Sequence, residues 1–308
     1  MSERGFRHSC GSRDGFIVVA ALWILSALAA LASVYSIYVA NVATSVAVND
    51  DMIRAEVLLS ASLDLTAYRL TAVPREDKPT RGRFAFRMNG ADVSVEFCSE
   101  AARVDLNKAS KALLSGLFSA LGAHPDDAEQ YADRIIGWRS APSSDSLDRE
   151  ESFYRAAGLS YGPRGSPFVH VGELELVLGL PPVLAERAIP FVTVYSGRPD
   201  INIHDAAPEV IAALPGMTPE KLNAALNDRE LIADQSSMTS QVGATTEGSK
   251  AMRVTVRMAF DSGRTITSAA VILVDGHDEP YRVLSWQSDA DVRPATQSAP
   301  RNIAGGRP

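Results

Sequence analysis

The hydrophobic pattern begins abruptly. Fifteen residues of mixed charge end at Gly15, and from there to Asn49 no side chain is charged. As a helix at ~1.5 Å per residue, residues 16–40 span about 37 Å, more than the roughly 30 Å of a bilayer's hydrocarbon core. This run reads as one membrane-crossing helix. Arginines precede it and Asp50–Asp51 follow, which by the positive-inside tendency leaves the N-terminus in the cytoplasm and the bulk of the chain outside. Past Asp50 the pattern turns amphipathic. Ile53, Val57, Ala61, Leu65 and Tyr68 recur at spacings of four and three, one face of a helix that leaves the membrane and lies on a folded domain. Pro74 and the charged "REDK" end it.

Two alternating runs follow. Phe84, Phe86 and Met88, then Val93, Val95 and Phe97, flank Asn89–Gly90, the dipeptide that favours a type I′ hairpin turn because both central residues need positive φ. Alternation returns only near Arg253, in "RVTVRMAF", "TITSAAVILV" and "YRVLSW". An N-terminal helix on a four- to five-stranded antiparallel sheet is an α+β fold, here interrupted by a large insertion.

The insertion reads helical. Leu113, Leu117 and Leu121 are four apart, "PDDAEQYADRIIGWR" starts with a capping-like Pro–Asp, and "VGELELVLGLPPVLAERAIPFV" and "AAPEVIAALPGMTPEKLNAAL" look like helix–turn–helix pieces. A weak internal repeat relates "VDLNKASKALLSGL" to "INIHDAAPEVIAAL". The expected organisation is a leader at 1–15, a span at 16–40, helix and first strands at 41–99, an all-α insertion at 100–232, a flexible polar loop at 233–250, closing strands at 251–287 and a disordered Ser/Pro/Gly/Arg-rich tail at 288–308.

Charge and candidate chemistry narrow the function. The net charge is −7, and the leader, with three arginines against one glutamate and one aspartate, contributes +1 to it. An acidic body argues against a nonspecific polyanion binder. Cys10 and Cys98 form no CxxC or zinc-type cluster. His124, His170, His204 and His277 are scattered, and no nucleophile motif or P-loop occurs, so no catalytic residue is assigned. Asp145, Asp148, Glu150 and Glu151 stand within seven residues, a candidate hard-cation site or simply a solvated loop. "LPGM" and "LGLPP" are similar to helix-hairpin-helix turns, which can cradle DNA phosphates, although Gly216 is followed by Met217, Thr218, Pro219 and Glu220 rather than by a second glycine.

A charged leader, Gly15–Phe16 and an uninterrupted apolar helix resemble a type IV prepilin signal. That resemblance implies cleavage after Gly15 by a prepilin peptidase and methylation of Phe16, with the helix retained. The fifth position after the cut, usually glutamate in pilin-like proteins, is Ala20, a loss typical of the K-type minor pseudopilin of the type II secretion system. "RVDLN", "ADRIIGWR", "ESFY", "VGELELVLGL" and "INIHDAAPEVIAALPGM" are similar to that family, the general secretion pathway protein K family. His204–Asp205 replaces its usual Asn–Thr.

The resemblance implies a structural, non-enzymatic subunit of the inner membrane. It would cap the tip of a periplasmic pseudopilus that exports folded proteins through the outer membrane. I- and J-type pseudopilins are its implied partners, with no nucleic acid or small-molecule substrate. In the family, calcium is bound near a Trp–x–Asp–x–Asp stretch. Trp138, Glu150 or Glu151, and Tyr154 fit that frame, but Ser140 and Pro142 stand where its first acids would be. Alternative readings are a membrane-anchored DNA-uptake protein and a minor pilin of another type IV filament.

Overall fold

The computed structural model describes residues 14–74, 78–141, 147–231, 242–275 and 279–287. The chain divides into two compact units, Met1–Val57 and Leu58–Pro308. Helix α1 (Asp14–Thr71) runs through both. In the first unit Phe16–Val42 is long and apolar enough to cross a membrane, and none of it is buried by protein. The sequence contains no Pro or Gly between Phe16 and Val73 to interrupt the helix.

In the second unit the buried stripe of α1 is Leu58, Leu59, Ser62, Leu63, Thr66, Ala67 and Leu70. This corrects the expected face, since Ile53, Val57 and Tyr68 are exposed. The hydroxyls of Ser62 and Thr66 donate to the carbonyls of Leu58 (2.6 Å) and Ser62 (2.7 Å). With their polar atoms satisfied inside the helix, these small residues face the core at little cost, and the four leucines each gain about 1.5–3 kcal/mol by burial.

The sheet is antiparallel, in the order β1 (Arg81–Met88), β2 (Ala91–Ser99), β7 (Ala251–Phe260), β8 (Thr265–Leu273), β9 (Arg282–Gln287). Asn89 and Gly90 have φ of 51° and 72°, the expected type I′ turn, and the register pairs Phe84 with Val95 and Phe86 with Val93. Opposite Phe97 stands Gly82. A Cβ there would lie 2.4 Å from the Phe97 ring, so the glycine makes room for the aromatic side chain. Arg69 of α1 lies over Phe84, 4.2 Å from the ring centroid, and Tyr281 donates to Asp64 at 2.8 Å, so this part of the helix touches the sheet.

Between β2 and β7 the chain builds a mainly helical domain. Its elements are β3 (Val104–Asp105), α2 (Lys111–Ala120), α3 (Pro125–Arg139), α4 (Leu147–Ala156), α5 (Pro182–Ala188), β4 (Val192–Thr193), β5 (Ile201–Asn202), α6 (Pro208–Ala212), α7 (Pro219–Leu231) and β6 (Ala244–Thr245). Leu113, Leu114, Leu117, Phe118 and Ile135 lie in one large buried cluster.

The domain is not all-α. Two short parallel ladders, β3 with β4 and β5 with β6, occupy equivalent places in the internal repeat. Asp105 Oδ1 accepts from the N–H of Asn107 (2.7 Å), and Asn202 Oδ1 accepts from that of His204 (2.9 Å). In both copies the strand residue's carbonyl then receives the N–H four residues on, Ala109 at 2.8 Å and Ala206 at 2.9 Å. The repeat seen in sequence is thus a repeated strand–Asx turn–helix unit. Strand β6 also corrects part of the expected flexible loop. Gly243 accepts from Ile201 (2.9 Å) and Glu247 pairs with Arg198 (2.8 Å). Residues 232–241 and 288–308 lie outside the described residues.

Candidate functional site

Three places carry the candidate functional residues. The first is the start of α1. Gly15 and Phe16 fall in its first turn, and Phe16 is exposed. Gly15 and the apolar run from Phe16 thus lie in the same helix. The leader residues before Asp14 lie outside the described residues.

The second is the connection between α3 and α4. Trp138 near the end of α3 and Tyr154 in α4 meet with ring centroids 6.1 Å apart, and Phe168 stacks on Trp138 at 6.0 Å. Tyr154 is fully buried, and its hydroxyl accepts from the N–H of Leu178 at 3.0 Å. Burial pushes that phenol up to about 12. Trp138 Nε1 donates to Glu173 Oε2 at 3.2 Å, while Glu173 Oε1 accepts from Val169 N (3.0 Å), His170 N (3.3 Å) and Arg164 Nη1 (3.2 Å). Glu173 thus joins the aromatic cluster to the 3-10 turn Val171–Leu176. Sequence reasoning quoted "VGELELVLGL" without assigning Glu173 this role, although a Glu in the first turn after a polar cap is a readable capping signal.

Of the four candidate cation ligands, Asp145 lies outside the described residues, as does the side chain of Asp148. Glu150 Oε2 is paired with Arg134 at 2.8 Å, and Arg134 also lies over Phe153. Glu151 is paired with Arg155 at 2.8 Å on the surface. Glu150 Oε1 is buried with no hydrogen-bond partner, so one oxygen remains for a ligand. Ser140 does not extend the acidic set, because its hydroxyl donates to Ile136 O at 2.6 Å. Among the described residues, no three His, Cys, Asp or Glu side chains gather as a metal set. His124, His170 and His204 serve separate turns, with His170 Nδ1 accepting from Gly172 N at 3.0 Å. His277 is outside the described residues.

The third place, unforeseen in the sequence, is the junction of sheet and insertion. Ser99, the last residue of β2, caps a 3-10 turn at Glu100–Ala102, and its hydroxyl also accepts from Ser249 N at 2.8 Å. Glu100 is fully buried. Its Oε1 accepts from Arg253 Nε (2.8 Å) and Arg103 Nη1 (3.3 Å), and its Oε2 from Arg253 Nη2 (3.4 Å) and the hydroxyl of Thr193. Burial alone would push this carboxyl up. The charges of Arg253 and Arg103, with the hydrogen bonds from Arg253 and Thr193, outweigh burial and hold it below the usual carboxylate range. Arg103 Nε in turn donates to Pro190 O at 3.1 Å.

The turns similar to helix-hairpin-helix elements share one construction. Gly122, Gly179 and Gly216 take positive φ, and a proline three residues later opens the next helix. At Gly216 the nearby cation, exposed Lys221, donates from Nζ to Gly216 O at 3.2 Å.

Residues 94–197, from within β2 through the aromatic cluster to the loop after β4, match the family model of type II secretion system (T2SS) protein K, first domain. No curated protein matches the chain. Among solved structures, the fold is similar to a chain of the crystal structure of the GspK-GspI-GspJ complex from the enterotoxigenic Escherichia coli type 2 secretion system. The TM-score is 0.54 and the identity 17%, over 78% of this chain and 97% of that one. Over residues 94–197 the chain is thus similar to the type II secretion system protein K family, and its fold is similar to that of the solved chain.

Proposed function

We propose that the chain is a minor pseudopilin that caps the tip of the type II pseudopilus, anchored by α1 in the inner membrane before assembly. It would stand beside I- and J-type pseudopilins and help export folded proteins across the outer membrane. The observation that carries this reading is the helical domain spliced between β2 and β7, adjacent strands of the sheet. Residues 100–250 make a bulky body on a pilin-like frame, and a subunit of that form suits the end of a filament better than its closely stacked shaft. Ala20 supports the same place. A glutamate there costs roughly 2.5 kcal/mol or more in lipid, and a subunit with nothing above it has no neighbouring amine to offset that cost.

The test is recovery of the full chain, co-expressed with its I- and J-type pseudopilins and the prepilin peptidase, from detergent-extracted membranes. A complex containing all three is expected, and its intact mass should show this chain starting at a methylated Phe16. A chain recovered alone, or still carrying residues 1–15, contradicts the reading. Calcium at Asp145, Asp148, Glu150 and Glu151 is proposed on one observation, the unpartnered buried Oε1 of Glu150. Calcium there would be held by carboxylates of the α3–α4 connection and of α4 itself.

A further inference from the structure

The insertion leaves the sheet after β2 and re-enters it at β7, so both connections lie at one end of two paired strands. Two adjacent chain crossings leave a hinge unless something restrains it. Apolar burial is non-directional, whereas an arginine–carboxylate pair gripped by both oxygens has a fixed direction. The junction is built from the second kind of contact. We propose that Glu100 is the positioning group that fixes the inserted domain in one orientation on the sheet, its two carboxylate oxygens gripping Arg253 of β7 while one of them also takes the hydroxyl of Thr193 in the insertion.

The groups around it come from every adjoining element. Arg253 is held on its far side by Gln287 of β9, to which its Nη1 donates at 3.2 Å. Arg103 follows the 3-10 turn and carries the grip to Pro190 O. Cys98 of β2 stands nearby, its thiol pushed up to about 11 chiefly by burial and therefore neutral. Arg81 of β1 reaches Asp205 of the second repeat at 3.5 Å, a longer and half-exposed contact. One buried carboxylate therefore faces two guanidinium groups, and no other buried anion pairs with them among the described residues. The carboxyl is held below its ordinary range. The grip accordingly persists while unfolded glutamates titrate and is lost only as pH falls further.

Glutamine keeps the shape of glutamate and removes the charge, so Glu100→Gln separates positioning from packing. The experiment uses the full chain in detergent with Cys10→Ser and Cys98→Ser and spin labels at Ser94→Cys on the sheet and Val183→Cys in the insertion, both exposed. Distances are read by pulsed dipolar spectroscopy. At neutral pH the parent should give one narrow distance, and Glu100→Gln should lose that single peak while keeping its helical circular-dichroism signal. In an acid titration the parent should hold its peak through the ordinary carboxylate range and lose it below, with no such step in the variant. Should Glu100→Gln not fold, Glu100→Gln with Arg253→Gln removes the charge imbalance and should show the same loss. A single narrow peak in either folded variant, or the same acid step in Glu100→Gln, overturns the proposal.

Discussion

Gly116 is where two helices of the insertion meet backbone to backbone. A Cβ at this position in α2 would lie 2.1 Å from the carbonyl oxygen of Ala213, at the end of α6. A main-chain carbonyl cannot step aside as a side chain can. In an exposed helix interior, Gly→Ala stabilises by about 1 kcal/mol. Here the sign should reverse, and Gly116→Ala should cost about 1–3 kcal/mol by overpacking, read as a lower midpoint in denaturant unfolding. Gly137 is the contrast, because its Cβ would meet the carboxyl end of Glu150 at 2.7 Å, a side-chain group that can shift where main chain cannot, at the expense of its pair with Arg134. A raised midpoint for Gly116→Ala would contradict the close approach of α2 and α6. Gly116 is one glycine in "KALLSGLFSA", and nothing in that string separates it from a tolerated helix glycine. Glu100 was equally hidden, since its two cationic partners stand 3 and 153 residues away.

At the scale of elements, the connection between α3 and α4 decides the calcium proposal. A bound ion stabilises the folded state by mass action. The melting temperature of the full chain in detergent should therefore be higher in calcium than in chelator, by roughly 2–4 °C per kcal/mol gained in a domain of this size. Equal temperatures would leave Arg134 and Arg155 as the sufficient partners of Glu150 and Glu151. Elements with strong local signals were the most legible in the sequence. Asn89–Gly90 placed the hairpin and its register because the turn itself needs positive φ. The leucines of α2 placed its core face. The buried face of α1 was misread because Ser62 and Thr66 look polar, while their hydroxyls are satisfied within the helix. The two-residue ladders were missed because two residues carry no period, and β6 because "ATTEGS" is held by β5 rather than by its own composition.

The whole molecule combines an apolar helix, a pilin-like sheet and a helical domain placed between two neighbouring strands. The class of fold was readable from the order of these patterns along the chain, while the grip at their junction depends on tertiary contacts alone. The tip placement proposed above requires that the helical domain stand at a filament's end with nothing stacked above it. The most direct measurement is in-cell crosslinking from single cysteines at exposed insertion positions such as Val169 and Val183, in cells assembling the pseudopilus. Neither position should crosslink to a pseudopilin stacked above the domain. Crosslinks from these positions to further copies of this chain, repeating along the shaft, would contradict the tip placement.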